Sequence, residues 1–437
     1  MTAHSALVTP TFELVRLGRV QLAWLAAAVF VVSAGYGALM PLLPGWLTLL
    51  MPGATAAEVA RHVGFLSGVY TAGVLVGAPL WGSVSDRVGR VRILIIGLVG
   101  YVASLLLLLV PGLTSLWGIY ALRGATGFFV AAVIPIVAAL VAEHTPAEQR
   151  ARRFAWLSAM SLLGFLFGPG LGAVADWVGS WASEGAAPSA LSARVVIVLS
   201  ALLGALMMLG VAVTLPAARL RNAATQVNPG ASAEGHTIAL LWLNGVVMLV
   251  LAGFELGILL QGQQHPGLSS REVALMFAEC SLVMLGVNAL LFFTALLEKA
   301  PASRLLGAGL ILAVAGLAVL AQHRSNAWMY LGISLTSAGT GLVLPVITYL
   351  AAGASRHKLG ATMGGLAAAA SLGQTLGSSG GGWLFGALTQ RSFGWLILPL
   401  VVMLVLLPAR PGWWSVIRAR PSRHPARLVA KERRDYL

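Results

Sequence analysis

The chain has 437 residues, of which 58% are hydrophobic and only 10% are charged. Because a soluble domain carries about 25% charged residues, this composition excludes an ordinary soluble fold and predicts a membrane protein. The single cysteine, Cys280, excludes an intrachain disulfide. The net charge of +14 does not indicate nucleic-acid binding, because the basic residues lie between apolar runs and in a tail, where membrane topology requires them.

Apolar runs long enough to cross a bilayer, about 18–25 residues each, predict twelve transmembrane helices. We number them span 1 to span 12, with approximate bounds 20–43, 62–84, 91–111, 116–141, 154–175, 193–215, 237–261, 271–297, 304–322, 327–352, 359–387 and 394–410. The runs are continuous and do not alternate, which excludes a transmembrane β-barrel. The predicted fold class is an all-α membrane protein.

The distribution of basic residues predicts the orientation of these spans. Of the 28 lysines and arginines, 22 fall in the N-terminal segment, the tail and the loops on the same side, and five fall on the opposite side. Loops rich in Lys and Arg stay in the cytoplasm. We therefore expect both termini in the cytoplasm, which agrees with an even number of spans.

The segment between spans 2 and 3, GAPLWGSVSDRVGRVR (residues 77–92), concentrates charge in an apolar chain. It resembles the loop that marks the major facilitator superfamily: a Gly, four residues, a Gly, then Asp-Arg-x-Gly-Arg. The matching residues are Gly77, Gly82, Asp86, Arg87, Gly89 and Arg90. The two Gly before the charges predict close helix approach, and Asp86 is expected to pair with an Arg and cap a helix. This latch segment would hold one conformation of a rocking transporter; the alternative is a simple positive-inside loop.

Spans 4 and 5 carry two further motifs. In span 4, Arg123 and Gly127 resemble the superfamily's Arg-x-x-x-Gly signature, and an Arg inside a span faces a wet or paired interior. In span 5, LLGFLFGPGLGAV resembles the Gly-rich element of antiporters, which is thought to limit leakage; Ala173 replaces the second Gly of its usual Gly-Gly ending. Its matching residues are Gly164, Gly168, Pro169 and Gly172. Together the motifs resemble the twelve-span drug:proton antiporters.

Two acids lie inside later spans, Glu255 in span 7 and Glu279 in span 8. Like Arg123, each lies about six to nine residues from one end of its helix, so all three are expected to share one layer of the cavity. A carboxylate in a low-dielectric interior, tuned by a nearby Arg, can gain and lose a proton as the cavity alternates. Span 1 lacks the acid of many drug antiporters, which favours Glu255 for proton coupling. Alternatively, these side chains are structural ion-pair members, or Glu279 is simply hydrated.

Polar and flexible side chains in the spans are candidates to line the rest of the cavity, which is expected to be mostly apolar. These candidates are Tyr36 and Met40 in span 1, Asn244 and Met248 in span 7, Asn288 in span 8, Tyr349 in span 10 and Gln374 in span 11. For each, ordinary packing or lipid contact is the alternative.

The two halves of the chain repeat at an offset of 209–214 residues. TAAEVARHVGF before span 2 matches SSREVALMFAE before span 8, and both open with a predicted capping box. The other aligned positions are Pro135 with Pro345, and Gly164, Gly168 and Gly172 with Gly373, Gly377 and Gly381. Two related six-helix bundles in parallel orientation are the arrangement of the major facilitator fold, with a site near the midplane between them.

The predicted organisation is a cytoplasmic N-terminal segment (1–19), a six-helix bundle (20–215), a linker (216–236), a second bundle (237–410) and a basic tail (411–437). The tail is expected either to lie on anionic lipid head groups or to retain the topology. No phosphate-binding loop, zinc spacing or nucleophilic triad is present, so we expect neither an enzyme nor a cofactor.

The resemblance implies a monomeric, bacterial inner-membrane transporter that exports small amphipathic, cationic or zwitterionic compounds by alternating access, coupled to protons. The alternatives are a dedicated exporter of one metabolite, such as a siderophore, and a lipid flippase or a non-transporting sensor on the same scaffold.

Overall fold

The computed structural model describes residues 17–409, except 114, 146–152, 154–155, 169, 173–187, 216–234, 265–267, 269, 295, 297–299, 323–324 and 355–358. All regular structure within these ranges is helical. The predicted tail lies wholly outside them, and the N-terminal segment and the linker lie almost wholly outside, so the domain bounds stay predictions. Pro169 of the span 5 motif also lies outside the described residues.

Every predicted span corresponds to helix in the described ranges. Ten helical stretches there are long and apolar enough to cross a membrane; one of them, Thr362–Leu406, contains both span 11 and span 12. Span 5 is a shorter apolar helix, Trp156–Gly172. The prediction of an all-helical membrane protein is therefore confirmed.

The helix bounds follow the apolar runs closely. In the N-terminal half they are Arg19–Leu39 and Leu43–Leu50 (span 1), Ala56–Val88 (span 2), Arg90–Leu107 (span 3), Leu116–Val130 and Ile134–Glu143 (span 4) and Pro188–Thr214 (span 6). In the C-terminal half they are Gly235–Gln264 (span 7), Ser270–Phe293 (span 8), Ala302–Gln322 (span 9), Asn326–Ala354 (span 10), Leu359–Leu388 (span 11) and Ser392–Ala409 (span 12).

Prolines determine where the helices break. In span 1 a 3-10 turn over Met40–Leu42, which contains Pro41, separates the two helices, because a proline cannot donate the backbone hydrogen bond of a continuing helix. In span 4 the second helix begins at Ile134 with Pro135 in its first turn. The aligned Pro345 instead lies inside an unbroken helix in span 10, so the repeat is not strict.

The helix contacts confirm that the two halves are related. Spans 2 and 4, 3 and 4, 3 and 6, and 1 and 6 pack together in the first half. The equivalent pairs in the second half, 8 and 10, 9 and 10, 9 and 12, and 7 and 12, also pack together. The same set of neighbours in both halves is what a six-helix structural repeat requires.

Glycines bring span 5 against span 1 and span 11 against span 7. A Cβ placed on Gly168 would lie 2.8 Å from the Ala34 carbonyl oxygen, and one on Gly381 would lie 3.0 Å from Gly253 Cα. Gly164 likewise contacts the Phe30 backbone. The predicted tight packing is thus present at Gly164 and Gly168, whereas no described atom lies within 4 Å of a Cβ at Gly172.

The halves meet along spans 2 and 11, in a contact that we call the 2–11 seam. A Cβ on Gly64 would lie 2.7 Å from Gly382 Cα, and one on Gly386 would lie 2.8 Å from the Ala57 carbonyl oxygen. Further along, the Thr71 and Thr375 hydroxyl groups are hydrogen-bonded at 3.0 Å. The 2–11 seam therefore extends over the N-terminal half of span 2. Beyond the seam, no described atom lies within 4 Å of a Cβ on Gly82.

Candidate functional site

The local sequence fixes Arg123 two turns inside span 4. Ser115 caps the helix through a 3.2 Å hydrogen bond from the Gly118 N–H, as serine does at helix starts. The side chain of Arg123 is only 1% exposed, and its Nε and Nη2 atoms have no hydrogen-bond partner among the described residues. Gly127, one turn on, lets span 2 approach, since a Cβ there would overlap the Tyr70 carbonyl oxygen.

Aromatic rings surround the guanidinium. Its Cζ lies 4.8 Å from the centre of the Tyr70 ring and 5.8 Å from that of Tyr36, within the range of cation–π attraction. The two tyrosine rings are 4.7 Å apart. The cluster continues across the molecule, because Tyr36 packs on Phe165 of span 5, which packs on Phe277 of span 8 in the other half.

Glu255 faces this cluster from the C-terminal half. Its side chain is half-buried, and it lies close enough to the Tyr36 hydroxyl to act on it electrostatically, as Arg123 also does. No ion pair joins Glu255 to Arg123 in the described part of the chain. Tyr36 therefore lies near both charged groups.

Glu279 occupies a different environment. Its Oε1 accepts a short hydrogen bond from the Ser334 hydroxyl of span 10, and its Oε2 is buried with no partner among the described residues. Spans 7 and 8, which carry Glu255 and Glu279, pack together. The structure thus places the two acids on neighbouring helices of the C-terminal half and Arg123 with the tyrosines of the other half.

Three of the predicted cavity residues, Asn244, Asn288 and Met40, make hydrogen bonds within the protein. Asn244 and Asn288 already donate to backbone carbonyls, those of Leu366 and Met284, at 2.9 and 2.8 Å, which are ordinary packing contacts. Met40 accepts from the Ser67 hydroxyl at 3.5 Å.

Met248 lies 3.9 Å from the Gln374 amide nitrogen, in a contact between spans 7 and 11. Tyr349 is half-buried near the end of span 10. Among the predicted cavity residues, the contacts described here place Tyr36 against Arg123. A ligand role for all of them, Tyr36 included, stays a prediction.

The latch segment forms an ion-pair cluster at the opposite end of the N-terminal half. Arg90 donates to Glu143 from Nε at 2.9 Å and from Nη2 at 2.8 Å, and its Nη2 also lies 2.8 Å from Asp86 Oδ1. The pairing of Asp86 with an arginine was expected. Glu143 ties the end of span 4 to the start of span 3, so the cluster links three helices of the same half.

The glycines of the latch segment have distinct roles. A Cβ on Gly77 would lie 2.6 Å from the Phe128 carbonyl oxygen, so the predicted close approach of spans 2 and 4 is present there. At Gly82 the predicted close approach is not found among the described residues. Gly89 has a φ of 108°, a conformation in which residues with a side chain are strained. Arg87 is exposed.

Sequence reasoning missed Tyr70 and Ser334, and it assigned Glu143 at the end of span 4 only to capping or hydration. A tyrosine in an apolar span gives no charge signal, and its polar tip becomes informative only when its neighbours are known. Glu143 could have been found, since it lies on the same predicted side of the membrane as Arg90 and an acid there needs a partner.

Comparisons of the sequence with known proteins give a consistent family. The sequence profile of the Major Facilitator Superfamily matches residues 25–287. The tetracycline resistance protein, class B, of Escherichia coli is 37% identical over 146 residues, 33% of this chain and 34% of that protein. The quinolone resistance protein NorA of Staphylococcus aureus is 29% identical over 144 residues, 33% of this chain and 35% of that protein. The matched segment thus spans about a third of each relative.

Solved structures share the whole architecture. The human organic anion transporter MFSD10 superposes with a TM-score of 0.69 at 18% identity, covering 89% of this chain and 99% of that one. The inward-open xylose transporter XylE from E. coli superposes with a TM-score of 0.66 at 16% identity, covering 89% and 96%. At such low identity the likeness extends to the fold alone.

Proposed function

This chain belongs to the Major Facilitator Superfamily, and on that premise we propose that it exports small amphipathic, cationic or zwitterionic compounds in exchange for protons. It is a multi-pass membrane transporter and not an enzyme. The relatives named for tetracycline and quinolone resistance support a drug-type transporter. Proton coupling and the substrate class are the proposal.

One observation carries the proposal. Tyr36 lies at the junction of the two halves, with the buried Arg123 of the first half against its ring and the Glu255 carboxylate of the second half nearby. Charge at this point of a low-dielectric interior is costly, so protonation of the acid and binding of a cationic group are alternatives that lower the same cost. Exchange of one for the other is proton antiport.

The 2–11 seam supports alternating access. With both termini in the cytoplasm, as the basic residues favour, span 2 begins at the periplasmic face of the inner membrane. The seam from Ala57 to Thr71 would then close the periplasmic side. Export requires that this seam opens while the opposite side closes, with the two bundles moving as units.

The test is Glu255→Gln in everted membrane vesicles and in proteoliposomes. The variant keeps the shape of the side chain and removes its charge and its exchangeable proton. We expect uphill transport driven by a pH gradient to be lost, while exchange of labelled for unlabelled substrate without a gradient continues. Glu58→Gln is the matched control, because Glu58 lies at the start of span 2, where it hydrogen-bonds Thr55 at the surface.

A panel of cationic, zwitterionic, neutral and anionic compounds, each assayed with and without a proton gradient, identifies the substrate class. Undiminished uphill transport by Glu255→Gln would remove this residue from the coupling mechanism. Transport of one metabolite and none of the cations would favour a dedicated exporter.

A further inference from the structure

Four buried polar atoms around Arg123 have no hydrogen-bond partner among the described residues. They are Nε and Nη2 of Arg123, the Tyr101 hydroxyl oxygen and the Ser200 hydroxyl oxygen. The three side chains are 1%, 2% and 1% exposed. Because buried polar groups in folded proteins are nearly always paired with protein groups or ordered water, a bound ligand or water must complete the hydrogen bonds of these four atoms.

These atoms lie inside the N-terminal half, where spans 1, 3, 4 and 6 pack together. The Tyr101 ring packs against Gly204, where a Cβ would lie 3.0 Å from the ring atom Cε1. The Tyr101 hydroxyl fills the space that a Cβ on Gly35 would occupy, and the Ser200 Cβ lies 3.7 Å from that same point. Gly35 precedes Tyr36, whose ring centre lies 5.8 Å from the Arg123 Cζ, so adjacent residues of span 1 contact Tyr101 and Arg123.

The chemistry of the four atoms is one-sided. Arginine nitrogens only donate hydrogen bonds, and both hydroxyl groups can donate as well. Arginine keeps its proton in proteins, and no carboxylate oxygen of a described residue lies within 4 Å of Arg123. The hydroxyl groups are neutral, and Glu255, the acid that faces the cluster, forms no ion pair with Arg123, so no described group neutralises this charge by direct contact. Leaving such a charge buried and unpaired is strongly destabilising.

We propose that a monovalent anion binds among these atoms, held by Arg123 with the hydroxyl groups of Tyr101 and Ser200. Two ligands have the required negative charge: a chloride ion, and a carboxylate group on a transported compound that enters past Tyr36. This inference deepens the proposed function by giving the same cavity an anionic ligand, and it is tested by binding without transport.

The experiment measures the thermal unfolding midpoint of the purified full-length protein as chloride replaces methanesulfonate, an anion without a carboxylate group, at constant ionic strength. We expect the midpoint to rise and saturate with chloride. The saturable rise should disappear in Arg123→Gln, and Tyr101→Phe should weaken the apparent affinity about tenfold, the effect of one hydrogen bond to a charged group. Arg61→Gln and Tyr120→Phe are matched controls, because Arg61 lies beside Glu58 and the Tyr120 hydroxyl is bonded to His62.

Two further arms separate the sources of the anion and guard against a misfolded variant. Benzoate is compared with its neutral methyl ester: competition with chloride by benzoate alone supports entry of organic carboxylates, and no competition supports an inorganic ion. Crystals of the wild-type protein grown in bromide should show an anomalous peak beside Arg123.

Equal midpoints in chloride and methanesulfonate, with no bromide peak and no effect of benzoate, would overturn the proposal and leave water as the occupant. A chloride effect that survives in Arg123→Gln would overturn it as well. Because none of these measurements involves transport, proton coupling can fail while anion binding holds, and the reverse.

Discussion

Replacement of Gly382 by alanine perturbs the 2–11 seam at a single point. A Cβ at this position would lie 2.6 Å from Gly64 Cα and 2.7 Å from the Ala60 carbonyl oxygen, whereas ordinary contact begins near 3.4 Å. Both neighbours are backbone atoms, which cannot rotate away. The two helices must therefore separate by several tenths of an ångström wherever the seam is closed.

The cost of this overlap falls on one conformation only. Extra atoms in a packed contact cost about 1–3 kcal/mol, and the open seam has no contact to disturb. The ratio of closed to open molecules should therefore fall by about 5- to 150-fold. Gly380→Ala is the matched control, since it adds the same methyl group to the same helix where no described atom lies within 4 Å.

The populations can be read from the distance between two spin labels. Cysteines are introduced at Ala56 and Ala387 in a Cys280→Ser background. Both positions are exposed and lie on either side of the same end of the seam, where Gly386 meets Ala57. We expect Gly382→Ala to add a population at longer distance, and Gly380→Ala to leave the distribution as in the parent. Identical distributions in the two variants would show that the seam does not limit opening.

Three further predictions concern the latch segment. Glu143→Gln should lower the thermal unfolding midpoint. Glu143 and its partner Arg90 are only 16% and 17% exposed, and a hydrogen bond to a charged group contributes about 1.5–3 kcal/mol. An unchanged midpoint would contradict this. Asp86→Asn, at a position 54% exposed, should cost less than about 1 kcal/mol but shift the spin-label distances toward the open seam, and unchanged distances would remove Asp86 from the latch. Gly89→Ala should destabilise by about 1–3 kcal/mol through backbone strain, whereas Gly82→Ala should not; equal midpoints for the two would refute the strain.

The sequence also predicted several local contacts of the structure. The capping box of Thr55 and Glu58 is present, with the Glu58 N–H bonded to the Thr55 hydroxyl at 3.2 Å, because caps depend on residues three apart. The Asp86–Arg90 pair is likewise a matter of one helical turn. The predicted layer of Arg123, Glu255 and Glu279 was a weaker inference, since depth along a helix does not tell which way a side chain faces.

What the sequence determined by itself is the order and approximate bounds of the apolar spans in the described ranges and their pairing into two related halves. A bilayer demands about 20 apolar residues for each crossing, and the glycines at Gly164, Gly168, Gly373 and Gly377 mark close contacts that are visible as spacing. The tertiary structure alone decided that Arg123 lies against Tyr36 and Tyr70, with no carboxylate oxygen of a described residue within 4 Å of it. It also decided that the halves touch along one end of spans 2 and 11. The rotation and tilt of each helix depend on packing against all its neighbours, which the apolar pattern of a fully embedded helix does not encode.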